Sequence, residues 1–122
     1  MSMEIETRLS GQLARYLDLA TSQIKLTAAN MANIDTPGYR AVGMDFEAEM
    51  REAMDGVDSG VAPRQARLKA VDGLIARPDG NNVSMDRESL NLAEAQLKFK
   101  VGVALLRGEN QQVMDAIHAD SK

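Results

Sequence analysis

The 122-residue sequence contains no cysteine and no tryptophan, and its only aromatic rings are Tyr16, Tyr39, Phe46 and Phe99. The absence of cysteine excludes disulfide bonds and thiolate chemistry. Because there is no cysteine and His118 is the only histidine, we expect neither a Cys–His pair nor a histidine-based zinc site. The scarcity of rings leaves the core to Leu, Val, Ala and Met, which is typical of long helices that meet along seams.

Basic clusters and long apolar runs are also missing. The formal net charge is −4, and no run of Lys and Arg could neutralise phosphates, so we expect no nucleic-acid partner. An anionic membrane surface is disfavoured for the same reason. No stretch approaches the ~18 apolar residues of a transmembrane helix, so no direct membrane insertion is expected. Residues 1–6 lack the apolar core of a signal peptide, so no cleaved leader is expected either.

Catalytic patterns are absent as well. The glycines do not have the spacing of a phosphate-binding loop or a dinucleotide fingerprint. Residues 79–86 faintly resemble a calcium loop, but they lack alternating ligands and a terminal glutamate, so a turn followed by a helix cap is the favoured interpretation. We therefore predict no catalytic residue, no metal site and no cofactor, and a protein that is not an enzyme.

Apolar periodicity predicts a long helix at each end of the chain. The first, about Glu4 to Asn33, must end before Thr36-Pro37-Gly38, because Pro disfavours helical geometry in the preceding residue and Pro-Gly favours a type II turn. The second extends from about Met85 to His118, with Ser84 or Asp86 as its cap. In the first helix, apolar residues recur in steps of three and four at Leu9, Leu13, Tyr16, Ala20, Ile24, Ala28 and Met31.

The middle of the chain, about Tyr39 to Asn82, is less regular. A short helix is expected after Asp45, with one apolar face made by Phe46, Met50, Ala53 and Met54. From Gly56 to Gly80, four glycines and two prolines leave no period. Two interpretations stay open for that stretch: a flexible surface loop, which is favoured, and a small β-element.

The predicted fold is mainly α, with the two long terminal helices forming a hairpin or coiled-coil-like pair and an irregular, flexible middle segment. A single domain, 1–122, is expected. It divides into an N-terminal helix at 1–34, a turn, short helix and loop at 35–83, and a C-terminal helix at 84–122.

The second long helix carries two apolar stripes on nearly opposite faces. The first stripe is Leu90, Ala93, Leu97, Val101, Ala104 and Leu105, and the second is Leu92, Phe99, Val103, Leu106, Val113 and Ile117. One partner helix can cover only one stripe, and the first stripe ends earlier, as a contact within the chain would. We therefore expect the first stripe to face the N-terminal helix and the second to bind another subunit. Burial of both stripes within the monomer remains the alternative.

Residues 29–40, Ala-Asn-Met-Ala-Asn-Ile-Asp-Thr-Pro-Gly-Tyr-Arg, resemble the N-terminal signature of flagellar rod and hook axial proteins. Three further segments resemble rod proteins of the FlgB type: residues 44–48 (Met-Asp-Phe-Glu-Ala), 79–88 (beginning Asp-Gly-Asn-Asn-Val) and 92–99 (Leu-Ala-Glu-Ala-Gln-Leu-Lys-Phe). Phe99 stands where that pattern usually has tyrosine, and about 55–77 is unmatched. Rod proteins of the FlgC type share the signature and are the first alternative; a helical export chaperone or binding module is the more distant one.

The resemblance implies a structural subunit of the proximal rod in the periplasmic part of the flagellar basal body. Such a subunit assembles with copies of itself and with other rod and basal-body proteins into the axial drive shaft for motility. It also implies contact with the flagellar type III export apparatus, through which the chain leaves without a cleaved signal peptide.

Assembly contacts are predicted at the second stripe and in the signature, at Asn30, Asn33, Thr36, Pro37, Gly38 and Tyr39. The two asparagines have two open interpretations. Either they cap and turn the chain, or they contact a neighbouring subunit.

Overall fold

The computed structural model describes the backbone of residues 2–120 and the side chains of residues 8–119. The chain is mainly helical, and the element order is α1 (Ser2–Ala32), β1 (Val42–Gly43), α2 (Phe46–Ser59), β2 (Lys69–Ala70) and α3 (Met85–Asp120). The outermost predicted limits, at residues 1 and 122, lie outside the described residues.

Two faces of α1 are covered. One packs on α3: a Cβ atom added at Gly102 would lie 2.7 Å from Leu17 Cδ2, and Lys98 Nζ bonds to Gln23 Oε1 at 3.3 Å. These pairs show that α1 and α3 run in opposite directions. The other face packs on α2, where a Cβ atom at Gly11 would lie 3.3 Å from Val57 Cγ1. The buried apolar residues are Leu13, Leu19, Ala20, Leu26, Ala41, Val83 and Ala95.

The short helix α2 begins where the sequence predicts. The Asp45 carboxylate accepts a hydrogen bond from Ala48 N at 3.1 Å, which satisfies one of the free N–H groups of the first turn. The helix ends at Gly60, whose φ of 70° gives a left-handed cap. The Phe46 ring meets Tyr16 of α1 edge to face, with centroids 5.8 Å apart, and Lys98 Nζ lies 3.8 Å from its centroid. All three helices therefore meet at Phe46.

The irregular stretch contains the β-element that the sequence left as the less favoured alternative. β1 and β2 pair antiparallel, with Val42 opposite Ala70 and Gly43 opposite Lys69. The ladder joins two segments from either side of α2, which is a long-range pairing that local periodicity does not reveal.

The faces of α3 are the reverse of the sequence assignment. Leu92, Val103 and Leu106 are half-buried on the side of Gly102, which lies against α1. The first stripe is exposed, with Leu90 at 61% and Leu97 at 63% of full exposure. The physical reason is side-chain size: Ala95 and Gly102 on the covered side let the two helix backbones approach closely, which larger residues prevent. We call the exposed stripe, Leu90, Ala93, Leu97, Val101, Ala104 and Leu105, the outer α3 face.

The chain exposes more surface than a compact protein of its mass. Its accessible surface is 8183 Å², whereas a compact monomer of 13.3 kDa would expose about 6,500 Å². Within the described residues, no helix combines the length and apolarity that crossing a membrane requires.

Candidate functional site

The signature begins with a tight turn after α1. Tyr39 N donates to Thr36 O at 3.2 Å, and Gly38 between them has a φ of 75°. This is the positive φ that the third residue of a type II turn requires, so Pro37-Gly38 makes the turn predicted from the sequence. Thr36, Pro37 and Gly38 are exposed.

Asn30 holds the segment after this turn against α1. Its side chain is fully buried; Nδ2 donates to Val42 O at 2.7 Å, and Oδ1 accepts from Val42 N at 3.0 Å and from the Tyr39 hydroxyl at 3.1 Å. The amide thus bonds both backbone groups of Val42, as a neighbouring strand would. Asn30 and Tyr39 therefore act within the chain.

Asn33 has the same kind of internal role at the end of α1. Its Nδ2 donates to Ala29 O at 2.8 Å, and its Oδ1 accepts from Thr36 Oγ1 at 3.0 Å. The first bond satisfies a carbonyl that the end of the helix leaves free. For both signature asparagines, the structure shows the capping and turning role; a contact with a neighbouring subunit stays a prediction.

The segment before α3 locks onto the signature. Asn81 is fully buried, and its Nδ2 donates to Asn33 O and to Thr36 O, both at 2.8 Å. The adjacent Asn82 accepts from Ala41 N at 2.6 Å through Oδ1. The motif around Asp79-Gly80-Asn81-Asn82 is therefore a clamp between the end of α1 and the start of α3, and the calcium-loop interpretation has no support. Neither asparagine is among the site residues predicted from the sequence.

Backbone packing completes the clamp. Gly38 N donates to Asp79 O at 2.8 Å, and a Cβ atom at Gly80 would lie 3.4 Å from Gly38 Cα. Arg77 donates to Val83 O at 3.1 Å and also to Ile34 O. We call residues 30–42 together with 77–84 the junction. Since neutral amides make most of its bonds, the junction is suited to holding two helices in a fixed relation.

A second polar cluster ties residues 60–70 to α2. Glu49 is only 6% exposed and accepts from Arg64 at 3.2 Å and Arg67 at 3.1 Å. Both arginines also contact Glu52. The hydrogen bond from Arg64 holds the pKa of Glu52 below its usual value, and the same bond raises the pKa of Arg64. The two arginines and two glutamates carry no net charge together. Their ion pairs anchor residues 60–70 to α2.

Three polar groups in the α1–α3 seam have oxygen atoms without a hydrogen-bond partner among the described residues: Thr27, Glu88 and Glu109. Glu88 is fully buried and keeps one bond, from Arg87 at 2.8 Å. No group of three or more acidic or imidazole side chains in the described part of the chain could hold a metal ion.

The remaining predicted contact residues are divided by the fold. Leu92, Val103, Leu106 and Val113 are half-buried, whereas Phe99 is 38% and Ile117 55% exposed. The junction and α3 thus bring the signature together with the segments that resemble FlgB-type rod proteins. The second stripe is partly buried and does not form one free surface.

Comparison with known proteins identifies relatives over most of the chain. The flagellar basal body rod protein FlgB of Salmonella typhimurium (strain LT2) is 35% identical over 119 residues, which cover 83% of this chain and 86% of the relative. FlgB of Cereibacter sphaeroides is 32% identical, with 90% and 94% covered, and FlgB of Escherichia coli (strain K12) is 30% identical, with 84% and 88% covered. No family model matches the chain.

The long helices, the junction and these relatives together define a structural subunit of the flagellar axis. Within that class, the chain belongs to the FlgB family of flagellar basal body rod proteins. Its function is that of a structural rod subunit, and the shared FlgB name favours this family over the FlgC type.

Proposed function

We propose that the subunit builds the rod through its two terminal helices, which act as a coiled-coil-like hairpin whose geometry the junction fixes. Each chain then packs against copies of itself and against other rod and basal-body proteins in the periplasm. The chain takes part in no catalysis and needs no cofactor, nucleic acid or membrane insertion. The flagellar type III apparatus exports it without a cleaved signal peptide.

The observation that carries the proposal is the outer α3 face. Three of its leucines, Leu90, Leu97 and Leu105, are each more than half exposed. Burying a large apolar side chain contributes about 1.5–3 kcal/mol, so a neighbour that covers this face supplies a strong driving force for assembly. The accessible surface of the chain is larger than that of a compact monomer, which also supports assembly through exposed faces.

The predicted contact residues that remain exposed are part of the proposal. Thr36, Pro37 and Gly38 form an exposed turn at the junction end, Phe99 lies part-way along α3, and Ile117 lies near the other end of that helix. We expect these residues to contact the subunits that precede and follow this one along the rod. Leu92, Val103 and Leu106 act instead by setting the spacing of α1 and α3.

A pair of leucine variants on opposite sides of α3 tests the proposal. Leu97→Gln should leave the thermal unfolding of the purified subunit unchanged, because the side chain is already exposed. In a flagellated bacterium that depends on this gene, it should abolish basal bodies and swarming. Leu106→Ala should instead lower the monomer's melting temperature through lost packing. Normal basal bodies with Leu97→Gln would overturn the proposal.

A further inference from the structure

The second exposed helix face of the molecule lies on α1. Alternating steps of four and three residues place Ala14, Asp18, Thr21, Lys25, Ala28 and Ala32 along one stripe, the outer α1 face. All are exposed except Thr21, which is half-buried and bonds back to Leu17 O at 2.9 Å. Apart from Asp18 and Lys25, every member is small. Such a face can approach the large side chains of the outer α3 face closely.

The outer α3 face has charges of both signs at its edges. Glu94 and Lys100 are exposed and flank the apolar stripe on opposite sides. Within the described chain, none of Asp18, Lys25, Glu94 and Lys100 forms an ion pair. Each of the two faces therefore carries one positive and one negative side chain that form no ion pair within the described chain.

The packing within one chain supplies the register in which these charges can meet. Gly102 lies beside Leu17, and Lys98 bonds to Gln23. When α1 of a neighbour repeats this antiparallel pairing on the other side of α3, Lys25 lies at the height of Glu94. In the same register, Asp18 lies at the height of Lys100.

We propose that the outer α3 face of one copy receives the outer α1 face of a second copy that points in the same direction. This inference rests on the proposed function and names the surface that covers α3. Two ion pairs then form across the contact, Lys25 with Glu94 and Asp18 with Lys100, around a centre of alanines and leucines.

The charges also select the orientation of the neighbour. An inverted neighbour would run its α1 parallel to α3. In that orientation, bringing Lys25 level with Glu94 would leave Asp18 about thirteen residues from Lys100, so the two ion pairs could not form together. The need to satisfy both pairs at once therefore favours the neighbour that points in the same direction. Because the two faces differ, the contact is heterologous, and each copy leaves one face free for the next, which generates a continuing array.

Charge exchange tests the pairing. Lys25→Glu alone and Glu94→Lys alone should each weaken association about fivefold or more per contact and should reduce swarming and basal-body number. The double variant should restore both. Lys69→Glu and Asp55→Lys, which change exposed charges outside the two faces, should have no effect. All variants should keep the wild-type melting temperature.

The outcomes separate this inference from the proposed function. A double variant no better than the singles, or normal assembly of both singles, overturns the pairing. If Leu97→Gln still blocks assembly in that case, the outer α3 face remains an interface with another occupant. If Leu97→Gln also assembles normally, the proposed function fails too.

Cross-linking identifies the occupant directly, since the chain has no cysteine of its own. A chain with Ala28→Cys and Ala93→Cys, treated in isolated basal bodies with a short bismaleimide, should give a ladder at multiples of 13.3 kDa. Ala28→Cys with Ala62→Cys is the control and should give none. A cross-link to a different protein, or no ladder from assembled basal bodies, overturns the choice of a second copy.

Discussion

The two non-helical regions of the molecule are held in different ways. The junction is fixed by buried, neutral amide groups, since Asn30 and Asn81 are fully buried and bond to backbone. Residues 60–76, by contrast, are mostly exposed and are tied to α2 by arginines that share two glutamates. Of the two, the junction is the one that bonds the end of α1 to the segment before α3.

The difference has physical consequences. A hydrogen bond made by a buried, neutral amide side chain is insensitive to salt and pH. Removing one of its partners leaves the other buried without a hydrogen bond. In the anchor of residues 60–76 the arginines and Glu52 are exposed even though Glu49 is buried, and ion pairs that water reaches contribute little and are screened by salt. We therefore expect changes in the junction to act on the whole fold, and changes in residues 60–76 to act locally.

The largest effect is expected at Asn30. Asn30→Ala leaves both backbone groups of Val42 without their partner, which should lower the free energy of unfolding by about 2–4 kcal/mol. Urea denaturation of the purified subunit measures this. Asn110→Ala, an exposed change on α3, should stay within about 0.5 kcal/mol of wild type. Equal stability of the two variants would refute the central role of the junction.

The turn glycine should come next. Gly38→Val forces a β-branched residue into a φ of 75°, which costs about 1–3 kcal/mol. Gly108→Ala is the matched change in a helix with nothing within 4 Å of the new Cβ, and it should stabilise the chain by up to ~1 kcal/mol. If Gly38→Val has the wild-type melting temperature, the turn does not constrain the fold.

At the anchor of residues 60–76, a smaller and local effect is expected. Glu49→Ala removes an acceptor shared by Arg64 and Arg67, and the global loss should be about 1 kcal/mol. Amide hydrogen exchange in residues 60–70 should rise while exchange in the junction stays at the wild-type level. A matching rise in the junction would show that the two regions are coupled.

Acid should loosen the same anchor. In the folded chain the pKa of Glu52 lies below its ordinary value of 4.5, and the main cause is the hydrogen bond from Arg64. Its stabilising contribution is therefore complete above pH 4.5 and is lost as the pH falls through the lowered value. The protection factors of residues 60–70, corrected for the intrinsic pH dependence of amide exchange, should fall over that range, and Glu52→Gln should reduce this change.

The smallest effect belongs to Ile75, which is 93% exposed. Ile75→Ser should change the free energy of unfolding by less than about 0.5 kcal/mol, as measured by urea denaturation. A larger loss would mean that residues 60–76 contribute to the core after all.

Local chemistry in the sequence predicts the ends of the helices well. Pro37 and Gly38 require α1 to end before Thr36, and Asp45 caps α2, because each effect depends on residues within one turn. The clamp is a different case. Asn81 bonds to Asn33 O across nearly fifty positions of sequence, so no local pattern reveals that the two motifs meet.

The faces of α3 show another limit of sequence reasoning. Periodicity identifies two stripes, and the earlier end of the first stripe predicts, wrongly, that this stripe faces α1. Close packing favours small residues where backbones approach, so Ala95 and Gly102 decide which side meets α1. Small side chains carry this information, whereas the length of an apolar stripe does not.

The side chain of Asn30 also closes one edge of the small sheet. On one side β1 pairs with β2, and Val71 N bonds to Ala41 O there. On the other side, the backbone groups of Val42 would form an open sheet edge, which is a template for strand addition and aggregation. The amide of Asn30 occupies both groups. In the helix-to-helix assembly that we propose, the outer edge of β1 is thus closed to strand addition from another copy.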